Sequence, residues 1–231
     1  MALIIDIETT SWFKSDEHKE LTIRENQHKG LKDPEKIAEN HRKIIQGAAL
    51  SPYTGQITCI GLRWTSVGET IIHANNYSKA EDALLFTYTN EKSLLKAVWD
   101  TILKNEEDRL VSWYGKGFDL PYMFIRSLIN EVNPGIDYMQ FIHPYQHDIH
   151  LDIKSLFDKG SLKEVAYVLD CRTENETDGS ELPELWWKDP DAVINKCKSD
   201  LIQTEQIYER VKLWIPQRLQ MSSSSKTDIT I

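Results

Sequence analysis

The chain opens on a short apolar run, ALIIDI (2–7), which is the pattern of a buried strand. The next block, 11–50, is polar, charged and rich in Lys, Glu and His. Within it, Asp33 before Pro34 and then EKIAENHRKII reads as a capped amphipathic helix. The block is therefore expected to be a polar helical insertion beside the core. Turn chemistry at Pro52-Tyr53-Thr54-Gly55 leads into QITCIGLRW (56–64), an alternating strand pattern, and ETIIHANNY (69–77) follows as its hairpin partner. After Asn90, the residues Leu94, Leu95, Val98, Trp99 and Ile102 recur at helical spacing, predicting a helix over 90–105. RLVSWYG (109–115) and DIHLDIKSL (148–156) read as strands, and 119–130, 161–170 and 189–214 as helices. The final MSSSSKTDITI (221–231) has the composition of a disordered tail.

Three hairpin-ordered strands followed by alternating helices and strands predict an α/β fold, with a mixed sheet covered by helices. The boundaries expected are one domain over 1–216, containing insertion 11–50 and an acidic loop at 173–191, and a tail over 217–231. At 231 residues and 40% hydrophobic content, the chain can bury a substantial core. Cys59, Cys171 and Cys197 are odd in number and far apart, which excludes a disulfide framework or zinc ribbon. The opening segment lacks a basic signal region, and no run is long enough to span a membrane. A cytoplasmic or nucleoid-associated protein without a membrane partner is expected.

The formal net charge of −9 argues against a non-specific nucleic-acid coat. Seven acids and one base crowd into 173–191, however, and without that stretch 26 bases face 29 acids. The acidity thus does not exclude an enzyme acting on nucleic acid.

Asp6 and Glu8 end the first strand two residues apart, so both project from one face. Paired carboxylates on an apolar strand repel each other and need a cation or a proton. Asp119 stands at a strand-to-helix junction in WYGKGFDLP, where an ordinary N-cap is the simpler explanation for an isolated Asp. That stretch lacks the third glycine of a dinucleotide loop. Asp200 sits on the last long amphipathic helix, in KCKSDLIQT.

Taken together, these segments resemble the DEDD superfamily of 3′–5′ exonucleases, whose fold is ribonuclease H-like. DIETT is similar to the first exonuclease motif, and WYGKGFDLP to the second as found in family B DNA polymerase proofreading domains and their stand-alone relatives. KCKSDLIQT resembles the third motif, and HLDIKSLF and SLKEVAYVLD resemble the segments between. The resemblance implies Asp6, Glu8, Asp119 and Asp200 as a metal set for two Mg²⁺ or Mn²⁺ ions. These are hard cations that prefer oxygen ligands and can clamp the attacking and leaving oxygens of a phosphodiester. It further implies hydrolysis from the 3′ end of single-stranded nucleic acid, DNA rather than RNA, with a replication or repair protein as an allowed partner. A catalytically degenerate binding or docking module and an RNA-directed exonuclease are the alternatives.

The third motif usually carries a tyrosine four residues before its aspartate, or a histidine five before. Lys196 and Asn195 stand there instead. A lysine among carboxylates keeps its proton, so Lys196 is expected to donate to water or phosphate, not to act as a base. Tyr114 stands where the second motif usually has asparagine, and is a candidate for stacking on a base. Lys116 is a candidate phosphate contact, and Thr9 and Phe118 are further expected substrate-binding residues. Leu120, Pro121 and Phe124 are expected to pack against the terminal nucleotide. His143, His147 and His150 have a spacing that zinc sometimes uses, but Pro144 breaks any helical co-facing. Asp152 is expected either near the site or at the strand surface, and Trp186-Trp187 as a stacking platform or a loop anchor. Ser222 to Ser225 read as tail and not as nucleophiles.

Overall fold

Strand β1 (Ala2–Ser11) is the spine of a six-stranded sheet in the order β4-β3-β2-β1-β5-β6. The computed structural model describes residues 1–78, 84–106, 108–144, 147–157, 159–171, 179 and 181–215. On one side β1 pairs antiparallel with β2 (Gly55–Trp64), which pairs antiparallel with β3 (Glu69–Asn75). On the other it pairs parallel with β5 (Arg109–Ser112), followed by parallel β6 (His150–Asp152). This is the mixed sheet expected, with one addition. β4 (Leu85–Tyr88) lies parallel to β3 at the outer edge, and its half-exposed residues give no alternating signal. The two late strands are also shorter than their sequence patterns, because the chain turns into a 3-10 segment at Ile153–Leu156 and into a turn after Ser112.

Alternation along β1 feeds two separate cores. Leu3, Ile5 and Ile7 enter a layer with α3 (Glu91–Lys104) and α4 (Asp119–Ile129). Ala2 and Ile4 face the opposite layer, built on the long helix α8 (Pro190–Val211). The helix over 91–104 forms as its spacing predicts. Asn90 caps it by accepting from the Ser93 N–H, and Leu94, Leu95, Val98, Trp99 and Ile102 are all buried. Each such side chain contributes roughly 1.5–3 kcal/mol of apolar burial.

The insertion is a pair of helices, α1 (Asp16–Asn26) and α2 (Pro34–Gly47), the second capped by Asp33 with Pro34 in its first turn. Its two ends meet, since the Trp12 N–H donates to the Thr54 carbonyl. Two further short helices, α5 (Tyr138–Ile142) and α6 (Leu162–Val168), follow, the latter with a Ser161–Glu164 capping box. The expected acidic loop is partly helical. Residues 173–178 and 180 lie outside the described residues, but Leu182–Lys188 forms α7, because Leu182 and Trp186, one turn apart, both enter the core. Trp186 is thus the anchor of the pair, packed near Tyr77, whereas Trp187 is exposed. The expected tail, with Ser222 to Ser225, lies outside the described residues.

A buried ion pair fixes α4 in place. Arg126 binds Glu91 of α3 through Nε and Nη2, at 3.0 and 2.5 Å, and donates from Nη1 to the Pro52 carbonyl. Its guanidinium also lies over the Trp12 ring, 5.2 Å from the centroid. Glu91 in addition accepts from the Ile57 N–H and from Asn130. Removing one partner strands the other charge in the core. Arg126→Met is therefore expected to lower the unfolding free energy by about 3–5 kcal/mol in a denaturant titration. Lys92→Ala, at an exposed pair with Glu131, should cost less than about 1 kcal/mol.

Candidate active site

Asp6 and Glu8 follow Ile4 on the α8 face of β1, where period-two alternation puts them side by side. Asp200 comes from α8, which can approach because the position paired with Asp6 is Gly61. A Cβ at Gly61 would stand 2.4 Å from Leu201 Cδ1 and 2.8 Å from Cys197 Sγ, so only glycine lets this turn of α8 lie against β2. As a result, carboxylate oxygens of Asp6, Glu8 and Asp200 lie within 4.8 Å of one another, the one such potential metal-holding group among the described residues.

Asp119 is outside that tight group. It is the first residue of α4, and its Oδ1 accepts from the Ile7 N–H at 3.2 Å. The β1–β5 pairing runs only to Ile4, so the carboxylate takes a backbone donor that β5 has left behind. Phe118, not Asp119, occupies the N-cap position. Asp119 is nevertheless buried, and its charge acts on both Asp6 and Glu8.

Crowding without water sets the electrostatics. Burial first, then Glu8, Asp200 and Asp119, push the Asp6 carboxyl well above its ordinary range. Burial and then Asp200 push Glu8 up to about 8. Burial raises Asp119 to about 7 despite its backbone hydrogen bonds, and burial raises Asp200 against the pull of Lys196. Asp6 Oδ2 is buried and has no hydrogen-bond partner among the described residues. A hard divalent cation answers all of these features, since it needs several carboxylate oxygens and offsets their repulsion. The residues present therefore fit Mg²⁺ or Mn²⁺.

Lys196 enters this pocket from one helical turn before Asp200 and pairs with its Oδ2. Burial alone would lower its pKa, but Asp200, Glu8 and Asp6 hold it above the ordinary 10.5. It is protonated at neutral pH, as its setting among carboxylates predicts.

The expected substrate contacts separate into surface and core. Tyr114 is about half exposed, with Lys154 Nζ 4.0 Å above its ring. Lys116 donates from Nζ to the His143 carbonyl at 2.6 Å, and its N–H donates to Asp152 at 3.1 Å. Asp152 also caps the Lys154 N–H, so it is a buried organiser of the two lysine-bearing segments. Pro121 and Phe124 are partly open, Phe124 stacking on Tyr138 at 4.0 Å. Leu120 is a correction. It is fully buried in the α3–α4 layer and offers no surface to a nucleotide. Phe118 packs on Tyr122 in the α3–α4 layer, and the Tyr122 hydroxyl meets the buried Thr9 and the Ala49 carbonyl.

The histidines do not converge on a metal. His150 is wholly buried, its Nδ1 donating to the Phe141 carbonyl and its Nε2 accepting from Ser112. Burial drops its pKa to about 3, so it stays neutral. Two lysines were missed by sequence reasoning. Lys154 covers Tyr114, and the charge of Lys163 on α6 reaches Asp200. Neither carries a motif, since both act through tertiary proximity.

The family described as a predicted 3′–5′ exonuclease related to the exonuclease domain of PolB matches residues 71–226. The chain belongs to this family. The matched span holds Asp119, Lys196 and Asp200, and β1 with Asp6 and Glu8 precedes it. Among solved structures, the family B DNA polymerase from the hyperthermophilic archaeon Pyrobaculum calidifontis superposes with a TM-score of 0.60 at 14% identity. The match covers 91% of this chain and 24% of the polymerase, so the chain corresponds to about a quarter of that protein. The ribonuclease H-like fold implied by its motifs is the fold it has. No curated protein matches the chain. Among the described residues, no helix is long and apolar enough to cross a membrane.

The raised carboxyl groups make stability depend on pH in a fixed direction. The folded chain keeps protons on Glu8 up to about 8 and on Asp119 up to about 7, whereas the unfolded chain releases them near 4.5 and 3.8. In that window the folded state binds more protons, so stability falls as pH rises. In EDTA, thermal melting should show a loss on the order of a few kcal/mol between about pH 5 and pH 8. Adding Mn²⁺ at pH 8 should restore stability, because the ion binds only the folded arrangement.

Proposed function

We propose that this chain is a metal-dependent 3′–5′ exonuclease that removes nucleotides from the 3′ end of single-stranded DNA. One observation carries the reading: three carboxylates from β1 and α8 gather in a desolvated pocket whose groups are raised and incompletely partnered. Such a cluster destabilises a protein with no cation to bind, and it stands in a chain of an exonuclease-related family.

In this reading Asp6, Glu8 and Asp200, with Asp119 beside them, hold two Mg²⁺ or Mn²⁺ ions. Bound there, the ions supply an activated water and charge compensation on the leaving oxygen. The chain's own residues do the positioning. Lys196 carries a fixed proton and donates to the scissile phosphate, since its raised pKa denies it the part of a base. Tyr114 stacks on a base, and Lys116 and Lys154 meet the backbone phosphates behind it. Pro121 and Phe124 form the apolar wall for the terminal nucleotide, at the start of the helix that carries Asp119.

A second reading, a degenerate module that binds strands without cutting, draws on the Lys196–Asp200 pair that stands where a tyrosine is usual. One assay separates them: 3′- and 5′-labelled DNA and RNA oligonucleotides incubated with Mg²⁺, Mn²⁺ or EDTA. Shortening from the 3′ end of DNA, only with a divalent ion, is expected. Asp6→Ala and Asp119→Ala should each slow it by at least about a hundredfold, the scale of losing key charge stabilisation. Intact oligonucleotide under every condition would favour the binding module, and undiminished cleavage by Asp119→Ala would defeat the assignment.

A further inference from the structure

The Lys196 ammonium and a metal ion would seek the same oxygens. Lys196 is almost wholly buried, its side chain 6% exposed, and it ends on Oδ2 of Asp200, itself a member of the tight carboxylate group. It shares α8 with Asp200, one turn away, so helix geometry keeps the ammonium within reach of that carboxylate however the pocket is filled. We propose that Lys196 is a resident competitor for divalent ions, its ammonium occupying Asp200 in the substrate-free pocket and so setting how tightly ions bind there. This rests on the exonuclease reading above and adds to it a way in which ion binding is regulated.

Charge explains why such a competitor is useful. Once ions have displaced their protons, Asp6, Glu8, Asp119 and Asp200 bring four negative charges and Lys196 returns one. A single divalent ion then leaves the pocket negative by one, and a second makes it positive by one. The single negative charge of a phosphodiester neutralises that two-ion state. A substrate-free pocket therefore holds its ions loosely, and an arriving phosphate tightens them. By reciprocity, ions tighten the phosphate to the same degree. A neutral tyrosine at this position would leave the ionised carboxylates balanced by two ions alone, before any phosphate arrives.

The test is Mn²⁺ binding to the DNA-free chain, by calorimetry and by the Mn²⁺-dependent rise in melting temperature. It uses the wild type, two neutral variants (Lys196→Gln and Lys196→Tyr), the charge-retaining Lys196→Arg, and Asp6→Asn. The neutral variants should bind Mn²⁺ about tenfold or more tighter, because one opposing charge has left the pocket, while Lys196→Arg stays near wild type. Where one neutral variant fails to fold, the other supplies the reading. Neutral variants that bind no more tightly than wild type overturn the competition. If wild type then still binds Mn²⁺ and Asp6→Asn does not, the metal site stands and only the role of Lys196 falls. If no variant binds Mn²⁺, both fall.

Discussion

Four carboxylates and one ammonium share a space from which water is largely excluded, and the rest of the molecule is arranged to hold them there. Repulsion among Asp6, Glu8, Asp119 and Asp200 would push apart the elements that carry them. Those elements stay because other contacts hold each of them in place. β1 lies between two cores, α8 is seated by Leu201 and Cys197 against Gly61, and α4 is fixed through Arg126. The hydrophobic layers thus supply the force that an unfavourable polar centre opposes. This division between a stable frame and a repulsive polar centre keeps the charges in place before any ligand arrives.

Much of this was legible in the residues. Helices with complete local grammar were readable to within a residue or two, Asp33-Pro34 marking α2 and Asn90 marking α3, whereas the helix expected over 189–214 ends three residues early, at Val211. β4 was not, because its four residues are half exposed and acquire their identity only by lying beside β3. α7 carried a signal, Leu182 and Trp186 one turn apart, but the surrounding acids hid it.

The site divides along the same line. Asp6 and Glu8 follow from strand alternation alone, and their raised pKa values follow from it once the strand is buried. Asp200 and Asp119 were placed by resemblance to motifs, and their geometry was not readable. Where Asp119 points depends on β5 parting from β1 after Ile4, and that is a property of the sheet. Leu120 shows the limit from the other side. Its place beside Asp119 suggested a nucleotide contact, yet helix rotation turns it into the core.

The Arg126 guanidinium sits at both feet of the polar insertion. Trp12, where the chain leaves β1, lies under it, and the Pro52 carbonyl, where the chain returns, accepts from it. Between those two points the helical pair could lengthen, shrink or change its charge while Arg126, itself anchored in Glu91, holds both ends to the frame. An evolving lineage therefore has a place to vary the insertion while the buried acids keep their geometry.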